Sequence, residues 1–311
     1  MKKPNIKIVI IIPYYGQWPS YFNLYLKGCE NNPWLQILFF TDCVIPETAP
    51  KNVKFISSSL KDFSILATEK LDCYYEIKNA YKLCDFKPCY GLIFQDYLSD
   101  CDYWGYGDID LIYGDLSNYI FPKIDEGFDV ISNRQEIMSG SLSIFKNIPN
   151  INSLFKKSDT YLKLLQSDRY EGLDETAHNH NTWKDSSKLE LPAYSFTYLI
   201  SKANEEGHIK VSFESTCEEF LGNGDVVKFN HNTLKLNNKK ISYYHYVCNK
   251  NNLWFKFPGW KEIPDQFYVT ETGFYQSSFK YVKESIHLWR KSTGITLDIT
   301  IRILKRLKIW N

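Results

Sequence analysis

Two acids separated by a single residue, Asp108 and Asp110, stand inside the run DYWGYGDIDLIYGDL (residues 102–116). That run holds four acids, three glycines and four aromatics in fifteen positions, an unusual apolar setting for carboxylates. On an extended segment the side chains of residues i and i+2 point the same way, so this pair can converge on one hard cation. Mg²⁺ and Mn²⁺ prefer oxygen ligands and retain positions for phosphate oxygens and water. The spacing alone is not diagnostic, because Asp100-Cys101-Asp102 repeats it a few residues earlier. Context separates the two: Asp108 and Asp110 follow the aromatic-glycine lead YWGYG and precede the apolar LIYGDL. Glycines at 105 and 107 allow a ligand to approach the backbone closely.

These acids need strands to carry them. Residues 6–12, IKIVIII, form a β-branched run suited to a strand buried on both faces, closed by Pro13 and Gly16. Phe22, Tyr25, Leu26 and Cys29 then recur at helical spacing. Further strands are expected at 35–42 and 53–57, with Ser59 capping a helix over LKDFSILATEKL. A helix is expected over 90–98, a strand within YWGYGDIDLIYGD, short strands at 128–132 and 140–147, and a helix across 151–167. Hairpin strands are expected over 226–247. The pattern predicts an α/β fold with a mixed, mostly parallel sheet flanked by helices and irregular C-terminal additions. Ligands of such sheets bind beyond the carboxyl ends of the strands, where Asp42, Asp108 and Asp110 all fall.

The block YKLCDFKPCYGLIFQDYLSDCDYWGYGDIDLIYGDL (81–116) resembles the donor-site block of GT-A-fold glycosyltransferases. It is most similar to a group of bacterial proteins associated with surface-polysaccharide synthesis. The resemblance covers residues 5–150 and fades afterwards. It implies a GT-A-like sheet, with Asp108 and Asp110 holding Mn²⁺ or Mg²⁺ against a nucleotide-sugar diphosphate, a UDP-sugar being favoured. Asp85 takes the place of a helical acid that touches the donor sugar, and Lys82 and Lys87 beside it reach sugar or phosphate, or else form a solvated helix face. Pro13, Tyr14 and Tyr15, with Thr41 and Asp42, match where this fold cradles base and ribose. The tyrosines read equally as packing.

His245 and Lys250 match a late His that serves as third metal ligand and a Lys on the diphosphate. The family pattern resembles H-x-x-G-x-x-K-P-W. Here Cys248 replaces the glycine, Lys250 comes one residue early and Trp254 is displaced. Asp174 and Glu175 stand where the fold commonly places an acidic pair facing the acceptor, and Ser139-Gly140 resembles its small-residue turn. A helix N-terminus with acids in its first turn is the bland alternative for that pair. His178 and His180 add an H-x-H beside it, without a full ligand set.

The implied activity is transfer of a sugar to a glycan or lipid-linked acceptor. Two rivals are a carbohydrate-binding protein that keeps only the fold and a D-x-D phosphotransferase. With 37 basic and 36 acidic residues, the chain gives no electrostatic argument for nucleic acid. Eight cysteines without a C-x-x-C pair read as reduced thiols of a cytoplasmic protein. The N-terminal Lys pair and apolar run mimic a signal peptide, but the run is short, and a strand is expected there. Residues 1–270 are expected to form the catalytic domain, and 271–311 a helical basic tail. In that tail Ile295, Ile299, Ile303 and Leu307 would share a helix face beside Trp310, amid Arg302, Lys305, Arg306 and Lys308. Such a segment either docks on the core or rests on the inner face of an anionic membrane.

Overall fold

The computed structural model describes residues 6–177, 191–222 and 224–276. The tail from 277 onward, His178 and His180 lie outside the described residues. The chain opens with β1 (Ile8–Pro13), α1 (Phe22–Glu30), β2 (Leu35–Thr41), β3 (Val53–Ser57) and α2 (Leu60–Leu71). Ser59 starts α2 as expected. Its hydroxyl accepts from the Asp62 N–H at 3.2 Å, and the Asp62 carboxylate accepts from the Ser59 N–H at 2.8 Å, a reciprocal capping box.

Short helical pieces follow, α3 (Leu83–Phe86) and α4 (Tyr90–Ile93), and then β4 (Tyr103–Gly107), β5 (Leu111–Tyr113), α5 (Ser117–Asp125), β6 (Val130–Ser132) and β7 (Leu142–Lys146). The helix expected over 90–98 is therefore only α4 and a 3₁₀ turn at Gln95–Tyr97. The helix expected over 151–167 is likewise broken, into α6 (Pro149–Asn152), a 3₁₀ turn Leu154–Lys157 and α7 (Tyr161–Leu165). Its polar residues explain the break: the Ser153 hydroxyl donates back to the Pro149 carbonyl at 2.7 Å, and Ser158-Asp159-Thr160 forms a turn. Beyond them lie α8 (Phe196–Glu205), β8 (Val211–Phe213), β9 (Val227–Asn230), β10 (Thr233–Leu236), β11 (Lys239–Lys240), β12 (Tyr243–His245), α9 (Val247–Lys250), β13 (Gln266–Thr270) and β14 (Gly273–Tyr275).

The main sheet has seven strands in the order β3-β2-β1-β4-β7-β6-β8. β7 runs antiparallel to both its neighbours and the other four pairings are parallel. Alternation along β1 feeds two cores: Val9 and Ile11 join the face covered by α2, α4 and α8, and Ile8, Ile10 and Ile12 the face covered by α1 and α5. A mixed α/β fold with a mostly parallel sheet between helices is thus what the molecule has. A second, antiparallel sheet in the order β11-β10-β9-β13-β14 encloses a third core with Leu24 of α1.

One difference from the sequence reading sets up the site. β5 does not extend the main sheet but pairs with β12, placing His245 opposite Leu111. The residues between β4 and β5 are Asp108, Ile109 and Asp110, so the acids sit where the chain passes from one sheet to another. The expected hairpin stops at β11, which follows a turn with Asn237 and Asn238 both at positive φ (45° and 75°). β12 then leaves to pair with β5.

Candidate active site

A cleft of about 650 Å³ opens at the carboxyl ends of β1 and β4, within the size range of small-molecule sites. Pro13, Tyr14 and Tyr15 line it from β1, and Gly107, Asp108 and Asp110 from β4. Lys87, Asp174, Glu175, His245 and Lys250 complete the expected residues that the fold brings together.

On the floor, one ligand atom from each of Asp108, Asp110 and His245 falls within 4.8 Å of the other two. His245 Nδ1 lies 3.1 Å from Glu219 Oε1. Its Nε2 is 3.3 Å from Asp110 Oδ1 and 3.9 Å from Asp108 Oδ2, close in distance but not aligned, and it is a buried nitrogen without a hydrogen bond. A buried polar atom left so is costly, and here it is aimed at two carboxylates. A divalent cation fits this donor set: two oxygen ligands and an imidazole whose far nitrogen is already held.

Two lysines flank the acids. Lys87 Nζ donates to Asp108 Oδ1 and to the Gly140 carbonyl, both at 2.8 Å, and stands 3.6 Å from Asp174 Oδ2. Lys250 Nζ donates to Asp110 Oδ2 at 2.6 Å. Burial works against charge on Lys87, but Asp108, Cys84 and Asp174 outweigh it and hold the ammonium well above its usual pKa. Burial would likewise raise the Asp110 carboxyl, yet His245 and Lys250 pull it below the carboxylate range. Against its own burial, His245 is raised to about 10 by Asp110, Glu219 and Asp108.

Across the cleft, Asp174 is buried and accepts from the Tyr170 hydroxyl at 2.9 Å. Burial pushes its carboxyl up to about 8, with Lys87 opposing and Glu175 adding to the rise. Glu175 Oε1 accepts from the Gly140 N–H at 2.8 Å and meets Arg134 at 3.3 Å. A Cβ at Gly140 would lie 2.8 Å from Asp174 Oδ2 and 3.0 Å from Glu175 Oε1, so a larger residue there would push against this acidic pair.

Three expected residues lie elsewhere. Asp85 is fully buried, outside the cleft lining, and accepts from Lys82 Nζ at 2.8 Å and from the Glu171 and Leu173 N–H groups at 2.9 Å. Lys82, also buried, donates to the carbonyls of Leu164 and Arg169 at 3.0 and 2.6 Å. The expectation that this pair touches donor sugar or phosphate is corrected: its polar atoms are turned inward, where they clamp the loop leading to Asp174 and Glu175. The solvated-face alternative fails for the same reason. Asp42 does not line the cleft and instead accepts from the Gly16 N–H at 2.7 Å, shaping the turn after Tyr15, where Gly16 takes φ +103°. The other D-x-D is exposed at Asp100 and Asp102, and Asp102 accepts from the Lys7 N–H at 2.8 Å as a turn residue.

Arg134, Glu219 and Tyr170 line the cleft but went unrecognised in the sequence. For Arg134 a signal existed: it follows β6, which runs parallel to β1, so the strand-end rule points to it.

All eight cysteines are free thiols. Among the described residues no helix is long and apolar enough to cross a membrane.

A comparison with solved structures matches mouse xyloside xylosyltransferase 1 at 10% identity and a TM-score of 0.36, covering 78% of this chain and 98% of that one. The glycosyltransferase GlyE of Streptococcus pneumoniae TIGR4 matches at 14% identity and 0.31, covering 67% of this chain and 44% of that one. The galactosyltransferase LgtC, with donor and acceptor sugar analogues, matches at 11% and 0.29, covering 65% and 73%. Comparison with curated proteins finds no match. The model of a family of unknown function, DUF6625, matches residues 10–278, and the chain belongs to that family.

Proposed function

We propose that the protein is a metal-dependent glycosyltransferase that moves a sugar from a nucleotide-diphosphate sugar, with a UDP-sugar favoured, to a glycan or lipid-linked acceptor in surface-polysaccharide synthesis. The observation that carries this reading is the donor set of Asp108, Asp110 and His245, with its unsatisfied Nε2, on the floor of a cleft of about 650 Å³. Those three residues would hold Mn²⁺ or Mg²⁺, which when bound supplies Lewis-acid neutralisation of the diphosphate leaving group.

The protein's own groups do the rest. Lys87 and Lys250, paired with Asp108 and Asp110, supply ammonium groups where negative charge develops on the departing phosphate. Tyr14 and Tyr15, with Pro13, form the wall for base and ribose. Glu175 and Asp174 face the acceptor. There Asp174 or Glu175 takes its hydroxyl proton if the anomeric centre inverts, Asp174 only once the pH passes about 8, or stabilises an oxocarbenium-like state if it is retained. Asp85 and Lys82 support this acidic pair by fixing its loop, and Asp42 supports the Tyr15 turn.

The test is donor binding and hydrolysis across a panel of nucleotide sugars with Mn²⁺. Asp110→Asn removes one ligand charge with little change of shape and is expected to abolish metal-dependent donor binding in a folded protein. Equal nucleotide affinity with and without EDTA, in parent and variant alike, overturns the reading. Sugar binding without any nucleotide binding would favour the carbohydrate-binding alternative.

A further inference from the structure

Behind the metal-ligand set lies a charged pair to which the proposed reaction gives no role. Glu219 is 12% exposed at its side chain and spends its two oxygens in different directions. Oε1 meets His245 Nδ1 at 3.1 Å, and Oε2 meets an Arg134 nitrogen at 3.2 Å. The other terminal nitrogen of Arg134 meets Glu175 Oε1 at 3.3 Å. One guanidinium therefore spans a carboxylate of the metal side and a carboxylate of the acceptor side.

The backbone delivers Glu219 to this place. The Glu218 N–H donates to the Tyr243 carbonyl at 3.1 Å and the His245 N–H to the Glu218 carbonyl at 2.8 Å, zipping residue 218 onto β12. The Glu218 carboxylate caps the next turn by accepting from the N–H groups of residues 219 and 220, at 2.9 and 3.1 Å. Position 219 is thus locked in register with the histidine. An imidazole ligates through Nε2 only when its proton sits on Nδ1, and an acceptor on Nδ1 fixes both tautomer and ring plane.

We propose that Glu219 is a positioning residue, holding His245 with Nε2 toward Asp108 and Asp110, and that Arg134 ties this carboxylate to Glu175 so that metal site and acceptor side are set together. This rests on the metal-dependent reading above. A largely enclosed Glu219 needs a cationic partner in any case. Charge compensation of Arg134 alone, however, would not require the second oxygen to meet the one histidine nitrogen that faces away from the acids.

The experiment titrates Mn²⁺ alone into the full-length protein, following free Mn²⁺ by electron paramagnetic resonance, with thermal unfolding in EDTA as the check on folding. Glu219→Ala is expected to weaken Mn²⁺ binding about 10- to 100-fold. Glu219→Gln weakens it less than Glu219→Ala does, because its amide oxygen still accepts from Nδ1–H although its NH2 now faces Arg134. In a His245→Ala background, Glu219→Ala changes affinity no further, since its effect passes through the imidazole. If Glu219→Ala does not fold, Glu219→Asp carries the same comparison by withdrawing the carboxylate while keeping its charge. Arg134→Lys keeps the charge but loses the two-pronged geometry. It is expected to lower kcat at saturating Mn²⁺ as well as Mn²⁺ affinity.

Unchanged affinity in Glu219→Ala, or an equal loss in the His245→Ala background, overturns the positioning role and leaves the metal reading standing. Unchanged kcat in Arg134→Lys overturns the tie to Glu175. Mn²⁺ binding that is absent in the parent or indifferent to Asp110→Asn removes both the metal reading and this proposal.

Discussion

Asp174 and Glu175 are neighbours in sequence, yet their surroundings divide them. Glu175 is held by Arg134 and the Gly140 N–H, whereas Asp174 is buried with the Tyr170 hydroxyl and keeps its proton to about pH 8. For an acid raised in this way the linkage has a definite sign. Above pH ~4 the unfolded chain gives up the proton and the folded chain does not, so this group costs stability progressively until pH passes about 8. Asp174→Asn removes that cost by replacing the carboxyl with a group that never ionises. Urea unfolding in EDTA should therefore show the free-energy difference moving in favour of the variant as pH rises from 5 to 8. Other titrating groups, His245 among them, contribute to both proteins and cancel in the comparison. A flat difference, or one moving the other way, would mean that Asp174 is ionised in the folded protein.

The elements show what was legible in the sequence and what was not. β1, β2, β3 and the capped α2 announce themselves by largely apolar runs and a Ser-x-x-Asp start, because their partners lie close in the chain. The Asp108/Asp110 pair was readable for the same reason: its context of glycines and aromatics is contiguous. Lys82 and Asp85 misled because spacing tells that two charges lie one helical turn apart but not whether they face solvent or core. Their fate was set by residues 164–173, some 80 positions away, whose backbone groups they satisfy. Glu219 was hidden more deeply, since the pairing that sets it beside His245 and Arg134 is not written locally. The clamp makes a prediction of its own. Asp85→Ala leaves the buried Lys82 ammonium without its counter-charge and the Glu171 and Leu173 N–H groups without their acceptor, a change that costs on the order of 3–5 kcal/mol. A large fall in the urea midpoint, with proteolytic cutting in the 166–177 loop, is expected. Unchanged stability with a raised donor KM would instead restore Asp85 to the donor site.

At the scale of the whole chain the charges nearly cancel, at 37 basic against 36 acidic residues, so no global field draws the protein to an anionic surface. The distribution is less even. Arg302, Lys305, Arg306 and Lys308 fall within seven positions, next to Ile303, Leu307 and Trp310. Near a surface of anionic lipid each such residue contributes on the order of 1 kcal/mol, which together with apolar burial suits reversible attachment. We propose that this cluster brings the protein to the membrane face where a lipid-linked acceptor would lie. The contribution is electrostatic, so it must weaken as salt shortens the Debye length from about 10 Å at 0.1 M to about 3 Å at 1 M. Full-length protein is expected to sediment with anionic vesicles at low salt, to be released by high salt, and to ignore neutral vesicles. A variant carrying Arg302→Gln, Lys305→Gln, Arg306→Gln and Lys308→Gln should stay in the supernatant while hydrolysing soluble donor at the parent rate. Equal sedimentation of both proteins, or of neither, would show that these cations serve the protein's own packing or solubility rather than a lipid surface.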